Sequence, residues 1–265
     1  MNVIELSPLD LALAALLVIA LAAVSRWMRL AVEKQLLIAA LRTTLQLLLI
    51  GLVLKALFEN AHLYWVALMA LGMVVIAGRE VVARQKRRLA GWWGFGLGTL
   101  SMFVSSFSVT VLALLTVISN HPWYAPQYAI PLLGMVLGNT MSGISLGLDR
   151  LTQDAVQKRP MLETRLALGE DWQSAIADSR RDAIRVGLIP IINAMAAAGV
   201  VSLPGMMTGQ ILSGTLPVEA VKYQILVMFL IAAGTGFGTM VAVSAAARRL
   251  FDDRHRLRLD RLRQD

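Results

Sequence analysis

Repeated apolar stretches, each close to the length of a membrane crossing, constrain this chain more than any other feature. Crossing ~30 Å of hydrocarbon takes about 20 helical residues, and windows of that order fall near residues 8–25, 35–58, 61–78, 93–119, 129–148, 183–203 and 220–247. With 57% hydrophobic residues and a mean hydropathy of +0.65, the apolar content exceeds what one water-soluble core hides. The expected fold is all-α: a polytopic membrane protein with about seven transmembrane helices, forming a single domain over residues 1–265. The first window follows Glu5 and includes Asp10, lacks a basic n-region and is followed by Arg26 and Arg29, so it reads as a retained helix rather than a cleaved leader.

The formal net charge of +8 and the pI near 10.4 follow from topology rather than from nucleic-acid binding. All Lys and Arg residues except Arg42, Lys55 and Lys222 lie in segments 26–34, 79–91, 149–185 and 248–265, while the alternate loops near 59–61, 120–128 and 204–219 carry none. Basic loops stay on the cytoplasmic side, which puts the N-terminus outside and the C-terminus in the cytoplasm. Lys55 and Lys222 sit at outer span ends, where their stems can snorkel. His62, Tyr64, Trp65, Trp123 and Tyr124 fall at the outer interface and Trp27 and Trp92 at the inner one, as an aromatic belt requires.

Several chemistries are excluded by what the spans lack. Every Asp and Glu lies in a loop or at a span end, and His62, His121 and His255 are outside the spans, so a carboxylate or histidine proton relay is missing. The same absence removes paired aspartates, a Ser/His pair or an HExxH helix for intramembrane proteolysis, and Lys222 is too near a span end to carry retinal. Cysteine is absent, which removes disulfides and thiolate chemistry. Without a G-x-x-x-x-G-K-[ST] phosphate loop the chain has no such route to ATP. A transporter of this kind takes its energy from a separate ATPase docking on the cytoplasmic face.

The charge-rich segment 149–182, between two apolar windows, reads as that docking surface. Met161 to Leu168 can form two helical turns with Leu162 and Leu166 on one face. Gly169 then turns the chain, Glu170 and Asp171 suit the start of a new helix, and Trp172, Ile176, Ser179 and Ala183 give a mixed face leading into the next span. Glu163, Leu166, Leu168, Gly169 and Trp172 are the candidate coupling residues.

Glu163-Thr164-Arg165-Leu166-Ala167-Leu168-Gly169 resembles the EAA coupling motif of ABC-transporter permeases, in which a short cytoplasmic helix enters a cleft of the nucleotide-binding subunit. Glu and Gly keep the motif's spacing, Thr164 and Arg165 replace its two alanines, and the stretch from Gly169 to Pro190 is longer than in importers. A resemblance across nearly the whole chain rests on Arg42, Gln46-Leu47 and Gly51; Ile130-Pro131, Gly134-Met135, Gly138-Asn139 and Met141; Leu166 and Leu168-Gly169; Leu188-Ile189-Pro190; Val201 to Met207 with Gly209; and Lys222-Tyr223-Gln224-Ile225. On these the chain resembles the Fet-type (FetB) permeases, membrane subunits of bacterial iron-export ABC transporters related to plant aluminium-tolerance proteins. The resemblance implies a permease of the bacterial inner membrane, working as a homodimer with a separate ABC ATPase subunit. That partner binds and hydrolyses ATP with Mg, so this chain is not itself an enzyme and binds no cofactor.

Candidate pathway residues are polar or soft groups within or beside the spans: Arg42, Gln46, Met135, Asn139, Met141, Asn193, Met206 and Met207. Arg42 and Gln46 share a helix face, although Arg42 is near enough to the cytoplasmic end to snorkel. Asn139 serves either a cross-helix hydrogen bond or a substrate; Asn193 poses the same question. Gly134, Gly138, Gly143 and Gly147, with Ser142 and Ser145, suggest close helix packing. Leu203-Pro204-Gly205 ends the sixth window. Methionines favour adaptable packing, and their thioethers suit Cu(I) better than iron, so iron is implied by the resemblance alone and the metal ligands are unknown. The tail, 248–265, interleaves arginines with Leu257, Leu259 and Leu262 and reads as an amphipathic anchor on anionic membrane lipid. The competing functions are an ABC permease for another solute, importers included, and a non-transporting membrane scaffold or sensor.

Overall fold

The computed structural model describes residues 7–60, 62–118 and 121–264. The chain divides into two compact units, one drawn from residues 1–62 with 212–214 and the other from 63–211 with 215–265.

The first unit pairs α1 (Pro8–Trp27) with α2 (Glu33–Glu59). Ser7 caps α1 through a reciprocal box in which its hydroxyl accepts from the Asp10 amide and its own amide donates to Asp10 Oδ2 at 2.8 Å, with Pro8 preset for the first turn. Along α2 only Leu57 is buried.

The second unit contains α3 (Leu63–Ala83), β1 (Arg87–Leu89), α4 (Trp92–Met102), α5 (Ser108–Ala113), α6 (Pro126–Gln157), α7 (Arg159–Ala167), α8 (Trp172–Ala175), α9 (Ala177–Ala197), α10 (Gly205–Leu212) apart from its last residue, α11 (Pro217–Arg249) and β2 (Leu262–Gln264). A π-turn over Phe103–Phe107 joins α4 to α5, and a second over Leu114–Ile118 follows. Together they make one helical run from Trp92 to Ile118. Hydroxyls reinforce the displaced turns, with Ser105 donating to the Ser101 carbonyl and Thr110 to the Ser106 carbonyl, both at 2.7 Å.

Among the described residues six helical segments are long and apolar enough to cross a membrane: α1, α2, α3, the Trp92–Ile118 run, α6 and α11. The window expected at 183–203 is covered by α9, which starts earlier, stops at Ala197 and carries Asp178, Arg180, Arg181, Asp182 and Arg185 in its first half. Its uncharged stretch, Val186 to Ala197, is about 18 Å long at the helical rise, short of the hydrocarbon thickness. About seven spans thus resolve into six helices with an apolar stretch of membrane length and one that is apolar over half its length.

Within the second unit α6 packs against α11, α9 and α3, and small residues set how closely. A Cβ on Gly187 of α9 would lie 2.6 Å from the Gly143 carbonyl of α6, and one on Gly143 would lie 2.8 Å from the Gly187 carbonyl. Backbones touch there because neither residue has a side chain. Gly147 also packs closely, against Thr239, Val243 and Ala183, whereas the space around Gly138 is open. The glycine row of the fifth window therefore splits between a packed end and an open one. Below the packed end, Ile144, Leu148, Leu151 and Ala155 of α6 meet Ala242, Val243, Ala246 and Ala247 of α11 in the hydrophobic core.

The structure departs from all-α in one small sheet: β1 pairs antiparallel with β2, Arg87 opposite Gln264, Arg88 opposite Arg263 and Leu89 opposite Leu262. The tail, expected as an amphipathic anchor, turns its leucines onto the protein core. Leu257, bridged to Phe251, Leu259, at the start of a 3-10 turn over Leu259–Arg261, and Leu262 of β2 all pack against the core.

Candidate coupling surface and polar residues of the spans

The docking segment is a chain of short helices fixed by identifiable contacts. Asp154 near the end of α6 is 1% exposed and paired with Arg150 at 3.4 Å and Lys158 at 2.7 Å, which holds a carboxylate that burial would otherwise disfavour. Beyond Lys158, Pro160 starts α7, and Arg159 pairs with Glu163 at 2.7 Å. Leu162 is completely buried and Leu166 packs against the core, so one face of α7 is anchored.

The end of α7 is a Schellman turn. Glu170 N–H donates to the Arg165 carbonyl, Gly169 N–H to the Leu166 carbonyl, both at 3.1 Å, and Gly169 takes φ +94°. Asp171 then caps α8, its carboxylate accepting from the Ser174 amide at 3.0 Å. These Ser174 hydrogen bonds hold the Asp171 carboxyl below its ordinary range.

Arg165, one of the residues that departs from the coupling motif, joins the segment together. Its guanidinium reaches Glu170 at 2.8 Å, Asp178 at 3.7 Å and the Ala175 carbonyl at 3.2 Å, tying α7 to α8 and to the first turn of α9. Behind them the tail acts as a buttress. The Trp172 amide donates to His255 Nδ1 at 3.1 Å, and its ring lies 5.8 Å from that of Phe251. Arg261 in turn donates to the Arg249 carbonyl at 2.8 Å and the Phe251 carbonyl at 3.1 Å, placing a cation on the negative end of α11.

The five candidate coupling residues thus divide. Leu166 and Trp172 are half-buried anchors, while Glu163, Leu168 and Gly169 project outward, Leu168 with 80% of its surface exposed. A rigid helix presenting an exposed leucine next to a glycine turn offers an apolar knob to a concave partner surface.

Within the second unit the candidate pathway residues are spread over α6, α9 and α10. Arg42 and Gln46 are exposed on α2 of the first unit. On α6, exposed Asn139 donates to the carbonyl of half-buried Met135 at 2.8 Å, a bond within its own helix, and Met141 packs on the core. Asn193 is exposed on α9 and Met206 half-buried on α10. Met207 alone of the eight lines a cavity of about 490 Å³, where α9, α10 and α11 also bring Met195, Met228 and Gln224; Gln224 Oε1 is buried there without a hydrogen-bond partner.

A polar feature outside the expected sites lies deeper. The hydroxyls of Ser101, Ser106, Thr140, Thr235 and Thr239 are buried with no hydrogen-bond partner. Thr140 and Ser106 lie where the first π-turn, α6 and α11 meet, a Cβ on Gly234 approaching Thr140 Oγ1 at 3.2 Å and the Ser106 Cα at 4.0 Å, whereas Thr235 and Thr239 line the crossing of α6 and α9 beside Gly143 and Gly187. The repeat Gly234-Thr235 and Gly238-Thr239, four residues apart in an otherwise apolar window, was the legible signal. Among the described residues no three His, Asp or Glu side chains converge as a metal-ligand set.

Relatives span most of the chain. A membrane protein of Synechocystis sp. described as UPF0014 is 40% identical over 241 residues, covering 89% of this chain and 90% of its own. The Escherichia coli protein named "Probable iron export permease protein FetB" is 32% identical over 269 residues, 100% of both chains. "Protein ALUMINUM SENSITIVE 3" of Arabidopsis thaliana is 33% identical over 216 residues, 81% of this chain and 77% of its own. No solved structure matches. The model of UPF0014, described as an uncharacterised protein family, matches residues 8–251, and the chain, with its six apolar helices, is a multi-pass membrane protein belonging to that family.

Proposed function

We propose that this chain is the permease subunit of an ABC exporter in the bacterial inner membrane, a homodimer that moves a metal ion, iron in the first instance, out of the cytoplasm. ATP is bound and hydrolysed with Mg on a separate ABC ATPase subunit. The observation that carries the reading is α7: an anchored helix whose free side presents Glu163, exposed Leu168 and the Gly169 turn. Such a helix transmits rigid-body movement because its other face is fixed by Leu162 and Arg165. The basic loops favour a cytoplasmic position for it. Iron and the outward direction are supported by the name of the Escherichia coli relative.

A metal crossing this chain meets amide, hydroxyl and thioether groups rather than a carboxylate or imidazole cage, since none gathers among the described residues. That suits passage better than storage, as tight ligation would slow release. Vesicles containing this chain and its ATPase should show ATP-dependent iron flux and iron-stimulated ATP turnover. Gly169→Pro, which cannot adopt φ +94°, should abolish the stimulation while the two subunits still co-purify. Unchanged turnover in that variant would remove the docking assignment.

A further inference from the structure

Where α11 ends and the Trp92–Ile118 run begins, the chain forms an open cavity of about 570 Å³. Its walls include Trp93, Trp172, Arg248, Arg249, His255 and Arg261. Two membrane-length helices stop at its rim, one marked by paired arginines and the other by paired tryptophans. These residue types collect at the headgroup level of a bilayer, so the cavity lies at the depth of lipid phosphates.

The charges within it are not used up by the fold. Arg248 is exposed with no ion pair among the described residues, and Arg249 meets only the Trp93 ring, 4.5 Å from its centroid. Arg261 spends one terminal nitrogen on two carbonyls, leaving its other donors. Two carboxylates share the lining. Asp252 is already saturated by the amides of Arg254 and Arg256 and by the Arg256 guanidinium at 2.8 Å, so Asp253 alone opposes three guanidinium groups. Trp93 is also the second residue of α4, whose N-terminus has no side-chain cap and carries the positive end of its helix dipole.

We propose that this cavity binds the headgroup phosphate of an anionic phospholipid, held by Arg248 and Arg249 between the Trp93 and Trp172 rings. The site differs from the surface anchoring expected of an amphipathic tail, since the tail is folded and forms one wall. Trp172 and His255 belong both to this wall and to the buttress of α8, so the headgroup sits directly behind the coupling segment. Binding itself does not depend on the transport reading.

The test is lipid titration of the full chain, purified in neutral detergent, by native mass spectrometry and by Trp fluorescence, using dioleoyl phosphatidylglycerol, dioleoyl phosphatidylcholine and inorganic phosphate. Phosphatidylglycerol should bind in preference to phosphatidylcholine. Arg248→Gln, an exposed change, should weaken it about five-fold, and Arg248→Gln/Arg249→Gln about 25-fold, taking roughly 1 kcal/mol per interfacial arginine. Arg254→Gln, on the tail but outside the cavity, should bind as the unaltered chain does. Equal binding of the two lipids, equal weakening by Arg254→Gln, or competition by millimolar inorganic phosphate would each overturn the proposal. No ATPase is present, so these outcomes leave the transport reading to the flux experiment.

Discussion

The backbone amide of Trp172 donates to Nδ1 of His255 across 83 residues of sequence, at 3.1 Å. This bond and the adjacent tilted contact of the Trp172 and Phe251 rings make the tail part of the segment that carries α7 and α8. Phe251 is 4% exposed, and removing a buried phenyl ring costs about 3–5 kcal/mol. Phe251→Ala should therefore release the tail and α8 together: amide exchange should accelerate in 170–176 and in 255–264, with the α6–α11 core unchanged.

Arg165 should behave as a positioning residue. Arg165→Ala leaves Glu170 and Asp178 without their shared cation, and the turn between α7 and α8 should loosen. Because the guanidinium is partly exposed, the effect on global stability should stay within about 1 kcal/mol, while proteolytic nicking near Gly169 increases markedly. A large drop in the thermal midpoint without local nicking would contradict this assignment.

Much of this segment was readable in the sequence. Apolar spacing at Leu162 and Leu166 gave α7, Gly169 its turn and Asp171 its cap, because each obeys local backbone chemistry. Leu166 and Leu168 look equivalent in sequence, yet one is an anchor and the other exposed; only the packing of α7 on the core separates them. The role of Arg165 was hidden for a similar reason, since its partners come from α8 and α9 as well as from the turn itself. The docking of the tail was not legible because Leu257, Leu259 and Leu262 pack on helices distant in sequence, which no local spacing reveals. In the spans, length identified six helices, but the contact of Gly143 with Gly187 depends on how α6 crosses α9, which no single window contains.

That crossing gives a sharp contrast between two glycines of one helix. Gly143→Ala places a methyl group 2.8 Å from the Gly187 carbonyl and closer still to Thr235, so α6 and α9 must separate; overpacking of this kind costs about 1–3 kcal/mol. Gly138→Ala meets nothing within 4 Å and gains helix propensity. Thermal midpoints in one detergent should fall for Gly143→Ala and hold or rise for Gly138→Ala.

Acid should loosen the turns of the tail before the core. Arg258 hydrogen-bonds Asp260 at 2.9 and 2.8 Å and draws its carboxyl down to about 2 from 3.8, and the Arg256 amide lowers that of Asp252. A carboxyl depressed in the folded state stabilises it above the unfolded value and ceases to do so as pH falls through the folded one. The tail's local turns should hold down to about pH 4 and loosen between roughly pH 4 and 2, seen as faster exchange in 252–264 while its leucines stay packed on the core. Asp260→Asn should flatten that transition without moving the neutral-pH baseline far, because the pair is exposed.

Thr140 tests whether the buried hydroxyls serve the fold. Its side chain is fully buried and its Oγ1 has no partner, so the fold bears the desolvation of a hydroxyl and gains no bond from it. Replacing such a group with a methyl of the same shape is neutral or stabilising by about 1–3 kcal/mol. Thr140→Val should accordingly keep or raise the thermal midpoint. If the proposed metal passes the junction of α6, α11 and the π-turn, the same variant should lose iron flux while still stimulating ATP turnover through α7. A fall in thermal midpoint would mean that Thr140 donates a structural bond after all, and the hydroxyl group would then lose its claim on the pathway.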